Sequence, residues 1–100
     1  MGLSGAQRDF ILSVKDNRRA VCKDIANGRL SVRQAVEIAR QEVRVRDLYV
    51  VKVFDVHPAL GKVVGRRLLA SVGANQFTTL GSLDDEMLGR IEQAIQERAL

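Results

Sequence analysis

The chain has 100 residues, which is room for one hydrophobic core and not for two. Apolar residues make up 46% of it, which excludes global disorder; with 4% aromatic and no Trp, the core has to be built from Val, Leu, Ile and Ala. The net charge is +4 and it is uneven: residues 1–47 hold ten basic and six acidic side chains, residues 48–75 four and one, and residues 76–100 two and five.

The predicted elements, in chain order, are helical. Residues 6–26 place Phe10, Ile11, Val14, Val21 and Ile25 at spacings near three and four, the period of one helix face. Ser4 is a candidate cap, and Asn27-Gly28 ends the helix, because Gly enters the left-handed conformation at little cost. Ser31 and Gln34 form a capping box that opens a second helix through Val32, Ala35, Val36 and Ala39 to about Val43. Residues 48–56 are β-branched and aromatic and read by propensity as a strand. A lone strand leaves its backbone groups without partners, so a buried helix is preferred there. Pro58 forces His57 out of helical space. A turn through Ala59, Leu60 and Gly61 leads into a helix from about Lys62 to Val72, capped by Gly73. Residues 74–82 form a loop anchored by Leu80 and bent at Gly81. Ser82 or Asp84 then caps a last helix to about Arg98, with Asp84, Asp85 and Glu86 in its first turn, where the helix dipole favours negative charge. The fold class is therefore all-α, one domain over residues 1–100: a flexible start at 1–5, N-terminal helices at 6–44 and a helical head at 45–100.

The segment from His57 to Leu69 carries the chemistry. A helix start offers unpaired N–H groups and partial positive charge. Gly61 removes a side chain that would hold a phosphate away, Lys62 adds a mobile cation, and Arg66 and Arg67 extend the basic surface by a turn. This is not a nucleotide P-loop: the earlier Gly is missing, and Val63 stands where Ser or Thr must bind magnesium. A hydrophobic-Gly-Lys turn between helices of a small basic chain instead points to a helix-hairpin-helix grip. Gly65 implies a close helix crossing. Arg18, Arg19 and Lys23 cluster within one and a half turns of the first helix, set against Asp16 and Asp24. Arg33 and Arg40 both stand at pairing distance from Glu37.

Other chemistries find little support. One His and one Cys far apart do not make a metal site, so no metal and no cofactor are expected. No base is placed to activate Cys22, and no pair of groups suits acid–base work, so no enzyme and no small-molecule substrate are expected. A single cysteine forms no internal disulfide, charges run through the first thirty residues, and no apolar run approaches the roughly 20 residues of a spanning helix. A cytoplasmic protein with no membrane partner is expected.

From about Arg18 to Ile95 the chain resembles the mycobacterial-type integration host factors of actinobacteria, and more distantly the helix–two-turn–helix domain of a ribosomal small-subunit protein and of some DNA glycosylases. The residues that carry the resemblance are Arg18-Arg19-Ala20, Gly28 with Ser31, Val45 through Val56 leading into Pro58, Leu60-Gly61-Lys62-Val63, and Leu80-Gly81 before the closing helix. The resemblance implies a long N-terminal helix packed on a compact head with a helix–two-turn–helix motif. It implies a nucleoid-associated protein, monomeric when free, that binds double-stranded DNA with little sequence preference and bends or compacts it. Leu60, Gly61, Lys62, Val63 and Val64 would hold phosphates through main-chain N–H groups, with Lys62, Arg66 and Arg67 around them, and Arg18, Arg19 and Lys23 would add a second contact. The chain departs from the family pattern at Ala59, usually Gly or Lys; at Gly65, usually Ala; and at Gln76-Phe77-Thr78-Thr79, where an Arg-rich loop is usual.

Two other functions compete. One is RNA or ribosome association; for it the stacking aromatics are few, since Phe10, Phe54 and Phe77 are expected inside and only Tyr49 outside. The other is a protein–protein adaptor docking through Glu86, Glu92 and Glu97 of the acidic last helix.

Overall fold

A computed structural model describes the backbone of residues 5–99 and the side chains of residues 13–98. Among these the secondary structure is helical: α1 (Gly5–Ala26), α2 (Val32–Gln41), α3 (Val43–Arg46), α4 (Val50–Val56), α5 (Gly61–Ser71), a 3-10 turn at Leu80–Ser82, and α6 (Asp85–Ala99). The flexible start and the Ser4 cap expected for residues 1–4, and the side chains of Phe10 and Ile11, lie outside the described residues.

The helix ends follow local chemistry. Behind α1 the Arg29 amide donates to the Asp24 carbonyl at 2.9 Å, a wrap that Gly28 permits at φ 73°. The capping box forms: the Gln34 amide donates to Ser31 Oγ at 3.1 Å and the Ser31 amide to Gln34 Oε1 at 2.9 Å. Asp84, not Ser82, caps α6, its Oδ1 accepting the Met87 amide at 2.7 Å. α2 stops earlier than the periodicity suggests. Glu42 is extended (φ −113°, ψ 109°) and its carboxylate accepts the Arg44 amide at 3.1 Å, so one residue ends α2 and starts the single turn of α3.

Residues 48–56 divide. Val50–Val56 is the expected buried helix, with Val50, Val53 and Phe54 fully enclosed. Yet the segment also has an extended partner in the chain. Tyr49 forms an isolated antiparallel bridge with Thr79: the Val50 amide donates to the Thr78 carbonyl at 2.9 Å, and the Leu80 amide to the Leu48 carbonyl at 2.9 Å. The segment thus serves two ends, a bridge at 48–50 and a Val-rich core helix after it.

The core draws on every layer: Ile25 of α1, Val36 of α2, Val45 of α3, Phe54 of α4, Leu69 of α5, Leu80, and Leu88 and Ile91 of α6 are all essentially inaccessible. α1 packs on α3 and α4, α4 on α5, and α2 on α6. α4 crosses α5 closely. A Cβ added to Gly65 would stand 2.8 Å from Phe54 Cβ, closer than carbon atoms approach, so the close crossing read from Gly65 is present. Alanine there gains about 1 kcal/mol of helix propensity and still forces the two helices apart. Gly65→Ala is expected to destabilise the chain by about 1–3 kcal/mol, the cost of overpacking a filled core. Urea unfolding midpoints of the two proteins measure this; equal midpoints would contradict the crossing.

Candidate nucleic-acid interface

The turn that precedes α5 is closed within itself. His57 Nδ1 accepts the Ala59 amide at 3.0 Å, and the His57 carbonyl accepts the Leu60 amide at 3.1 Å. Leu60 drops into the core and anchors the turn. Gly61 then adopts φ 74°, in the left-handed region. A Cβ on Gly61 would meet nothing of this chain within 4 Å, so the chain requires glycine here for its backbone angle and not for room.

Beyond Gly61 the helix start is open. No side chain caps α5, and no described hydrogen bond uses the amides of Gly61, Lys62 or Val63. Lys62 and Val63 are exposed and Val64 is half-buried. Lys62 has no ion pair among the described residues. Three free N–H groups and a free ammonium therefore share one helix end, whose dipole adds positive potential.

The arginines that follow diverge. Arg66 is one turn beyond Lys62 on the same ridge and lines a cleft with Leu69, Ala70, Ala74, Asn75 and Gln76. Its Nη2 lies 4.0 Å from Asp55 Oδ2 on α4, while Asp55 Oδ1 is buried without a hydrogen-bond partner. Arg67 lies along the opposite flank, in a groove with Val64, Leu68, Ser71, Ala94, Glu97 and Arg98 between α5 and α6. The two extend the positive surface in two directions rather than one.

The α1 cluster is also split. Arg18 turns toward α3, where its Nε donates to the Arg44 carbonyl at 3.3 Å, while Arg19 and Lys23 stay exposed. The α2 arginines take partners other than Glu37. Arg33 forms a two-pronged pair with Glu92 of α6, one prong at 2.9 Å from Nε to Oε2. Arg40 reaches Asp85 at 2.9 Å and the Leu83 carbonyl at 3.1 Å. Sequence spacing offered only local partners, and the α2–α6 packing supplied better ones.

One surface feature was missed. Phe77, expected inside, is 66% exposed, and its ring meets that of Tyr49 edge-on at a centroid distance of 6.3 Å. Its sequence setting carried a signal: the neighbours on either side, Asn75, Gln76, Thr78 and Thr79, are all polar, so no apolar strand alternation includes it. Phe54, by contrast, is buried as expected.

No group of three or more His, Cys, Asp or Glu residues suited to a metal occurs among the described residues, and no described helix is long and apolar enough to cross a membrane. Burial pushes the Cys22 thiol above its ordinary pKa, only partly offset by Lys52, which disfavours a reactive thiolate.

No family model matches this chain, and no curated protein matches it. A solved structure does: sIHF bound to an 8-base-pair palindromic DNA, with a TM-score of 0.78, 13% sequence identity, and coverage of 85% of this chain and 96% of that one. The chain has the fold of sIHF. At that identity the likeness speaks for the helical architecture alone.

His57 gives the turn before α5 a pH signature. Burial lowers its imidazole pKa below the ordinary value near 6.5. The unfolded chain takes up a proton at a pH where the folded chain still resists it, so this contribution to stability is whole above about pH 6.5 and is lost as pH falls toward the folded value. Stability is expected to decline over that interval, by at most about 1.4 kcal/mol per pH unit from this one group. His57→Asn retains an acceptor for the Ala59 amide and removes the titration. A shallower decline from pH 7 to 5 in the His57→Asn variant, followed by thermal unfolding, is the expected result; an unchanged slope would assign it elsewhere.

Proposed function

We propose that this chain is an integration-host-factor-like, nucleoid-associated DNA-binding protein, monomeric when free. It holds duplex DNA by the phosphate backbone with little sequence preference and bends or compacts it. The observation that carries this reading is the open start of α5, with free amides at Gly61, Lys62 and Val63 beside an unpaired Lys62. Residues 56–83 hold Lys62, Arg66 and Arg67 and not one carboxylate, and the acids that approach them in space are Asp55 beside Arg66 and Glu97 in the groove with Arg67, which leaves Lys62 without an acidic partner among the described residues. The fold likeness supports the reading, since sIHF was solved on DNA.

In this proposal the phosphate oxygens sit on the amides from Gly61 to Val64, with Leu60 holding the turn in place. Lys62 supplies charge beside them. Arg66 and Arg67 reach along the backbone to either flank, and Arg19, Lys23 and Arg18 form a second contact from α1. The contacts are to phosphates and not to base edges, which leaves sequence unread. Such a protein belongs in the cytoplasm on the nucleoid and needs no cofactor or catalytic residue.

The adaptor reading loses ground on one observation: Asp85 and Glu92 pair with α2, and Glu86 pairs with Arg90 at 2.8 Å. Much of the acidic face of α6 is thus engaged within the chain. The RNA reading gains one, the exposed Phe77. Competition between a duplex and a structured RNA at fixed salt separates them, and a preference for the duplex is expected.

Titration of a random 30-base-pair duplex at two salt concentrations tests the main reading. Each neutralised phosphate contributes about 0.9 to the slope of log affinity against log salt. With roughly four to six contacts, binding is expected to be firm at 50 mM and poor near 0.3 M. Lys62→Glu is expected to weaken binding to all duplexes alike and to reduce the slope by about one. A loss confined to one sequence, or no binding by the parent protein at 50 mM salt, would count against the proposal.

A further inference from the structure

Two of the chain's four aromatic rings, Tyr49 and Phe77, are on the surface and touch each other. A buried partner does not explain Phe77, because two thirds of it is open to solvent. The loop that carries it is firmly built. The Asn75 side chain accepts the Phe77 amide at 2.8 Å, the Asn75 amide donates to Thr78 Oγ1 at 3.0 Å, and the Thr78 amide donates to the Asn75 carbonyl at 3.1 Å. The bridge between Tyr49 and Thr79 ties this loop to the start of α4. The rings meet at 74°, one edge against one face, which leaves ring surface free for a third planar group.

Cations stand at both ends of the loop. Arg66 lines the cleft under Ala74, Asn75 and Gln76 at its beginning. At its end the Arg46 stem lies against Gly81, where an added Cβ would be 2.5 Å from Arg46 Cγ, and Arg46 has no ion pair among the described residues. The loop itself, residues 74–83, carries no charge. Apolar rings between two guanidinium groups match one chemistry closely: a nucleobase between the phosphates of its own strand.

Building on the proposed phosphate grip, we infer that Phe77, braced by Tyr49, stacks on a base that has left its pair, so that the protein prefers DNA with an unpaired or interrupted step over an intact duplex. Lys62 and Arg66 on one ridge of α5 hold the backbone, and Asn75 and Gln76, which line the cleft with Arg66, directly precede Phe77 in the chain. Stacking reads the flat face that every base shares and is indifferent to sequence, as the phosphate grip is. An apolar side chain set against a base step also stabilises a kink, which connects this surface to DNA bending.

The test compares two 30-base-pair duplexes, one intact and one with a single bulged 2-aminopurine, each titrated with the parent protein, Phe77→Ala and Lys62→Glu. The parent protein is expected to bind the bulged duplex about tenfold more tightly, the effect of stacking one base, and to change the 2-aminopurine emission. Phe77→Ala is expected to lose both effects while keeping the salt slope on the intact duplex. Phe77 is exposed, so this variant keeps its core. Lys62→Glu is expected to weaken both duplexes equally and keep the ratio. Equal affinity of the parent protein for the two duplexes, or a preference that survives Phe77→Ala, overturns the stacking assignment alone. Failure to bind either duplex at 50 mM salt overturns the phosphate reading and this one with it. Two further results also overturn the assignment: tighter binding to a single-stranded RNA of the same length, and a sedimentation change in free Phe77→Ala that exposes a self-association patch.

Discussion

The contact between Phe54 and Gly65 fixes the position of everything the head presents. α4 and α5 cross with no space for a methyl group, so the axis of α5 is set by the backbone of one helix and the ring of the other. Packed interiors do not deform smoothly. The short turn from His57 to Leu60 is therefore held at both ends, by α4 before it and by Leu60 in the core after it. The amides that follow Gly61 emerge in a fixed direction, which is what a binding surface made of backbone groups requires.

Much of this was legible in the residues. The capping box at Ser31 and Gln34, the stop at Gly28, the start of α6 near Asp84 and the crossing at Gly65 each depend on a few neighbouring residues, and each is where the sequence put it. The open helix start after Leu60 was legible for the same reason, since Pro58 restricts the backbone and Gly61 permits the left-handed angle at the start of α5. What the sequence hid depends on distant segments. Residues 48–50 find a backbone partner nearly thirty positions away at 78–80, and no periodicity announces it. The α2 arginines had a plausible partner within a helical turn and took others on α6, because packing brought a fork-shaped carboxylate closer. Arg18 and Arg19 are adjacent in sequence, yet one folds onto α3 and the other stays in water.

These pairings also sort the charge. A modest net of +4 becomes useful only if the carboxylates are kept from the cations that act. The α2–α6 seam does this, joining Arg33 to Glu92 and Arg40 to Asp85 on one part of the molecule. Such exposed pairs add little to stability. Their effect is to neutralise each other away from α5, whose own stretch of chain contains no acid. The loop before Leu80 fits the same picture: it carries no charge, and the rings of Phe77 and Tyr49 occupy the surface.

Asp55 introduces a counterweight. One of its oxygens is sealed from solvent with no donor, and the other has Arg66 as its cation at 4.0 Å. If Arg66 swings outward to meet a phosphate, that carboxylate is left uncompensated in a poorly hydrated niche, and part of the attraction outside is cancelled by a loss inside. The net gain from such a move is smaller than the outer contact alone would give. Whatever draws Arg66 away from α4 meets that cost, which a single half-hidden acid sets.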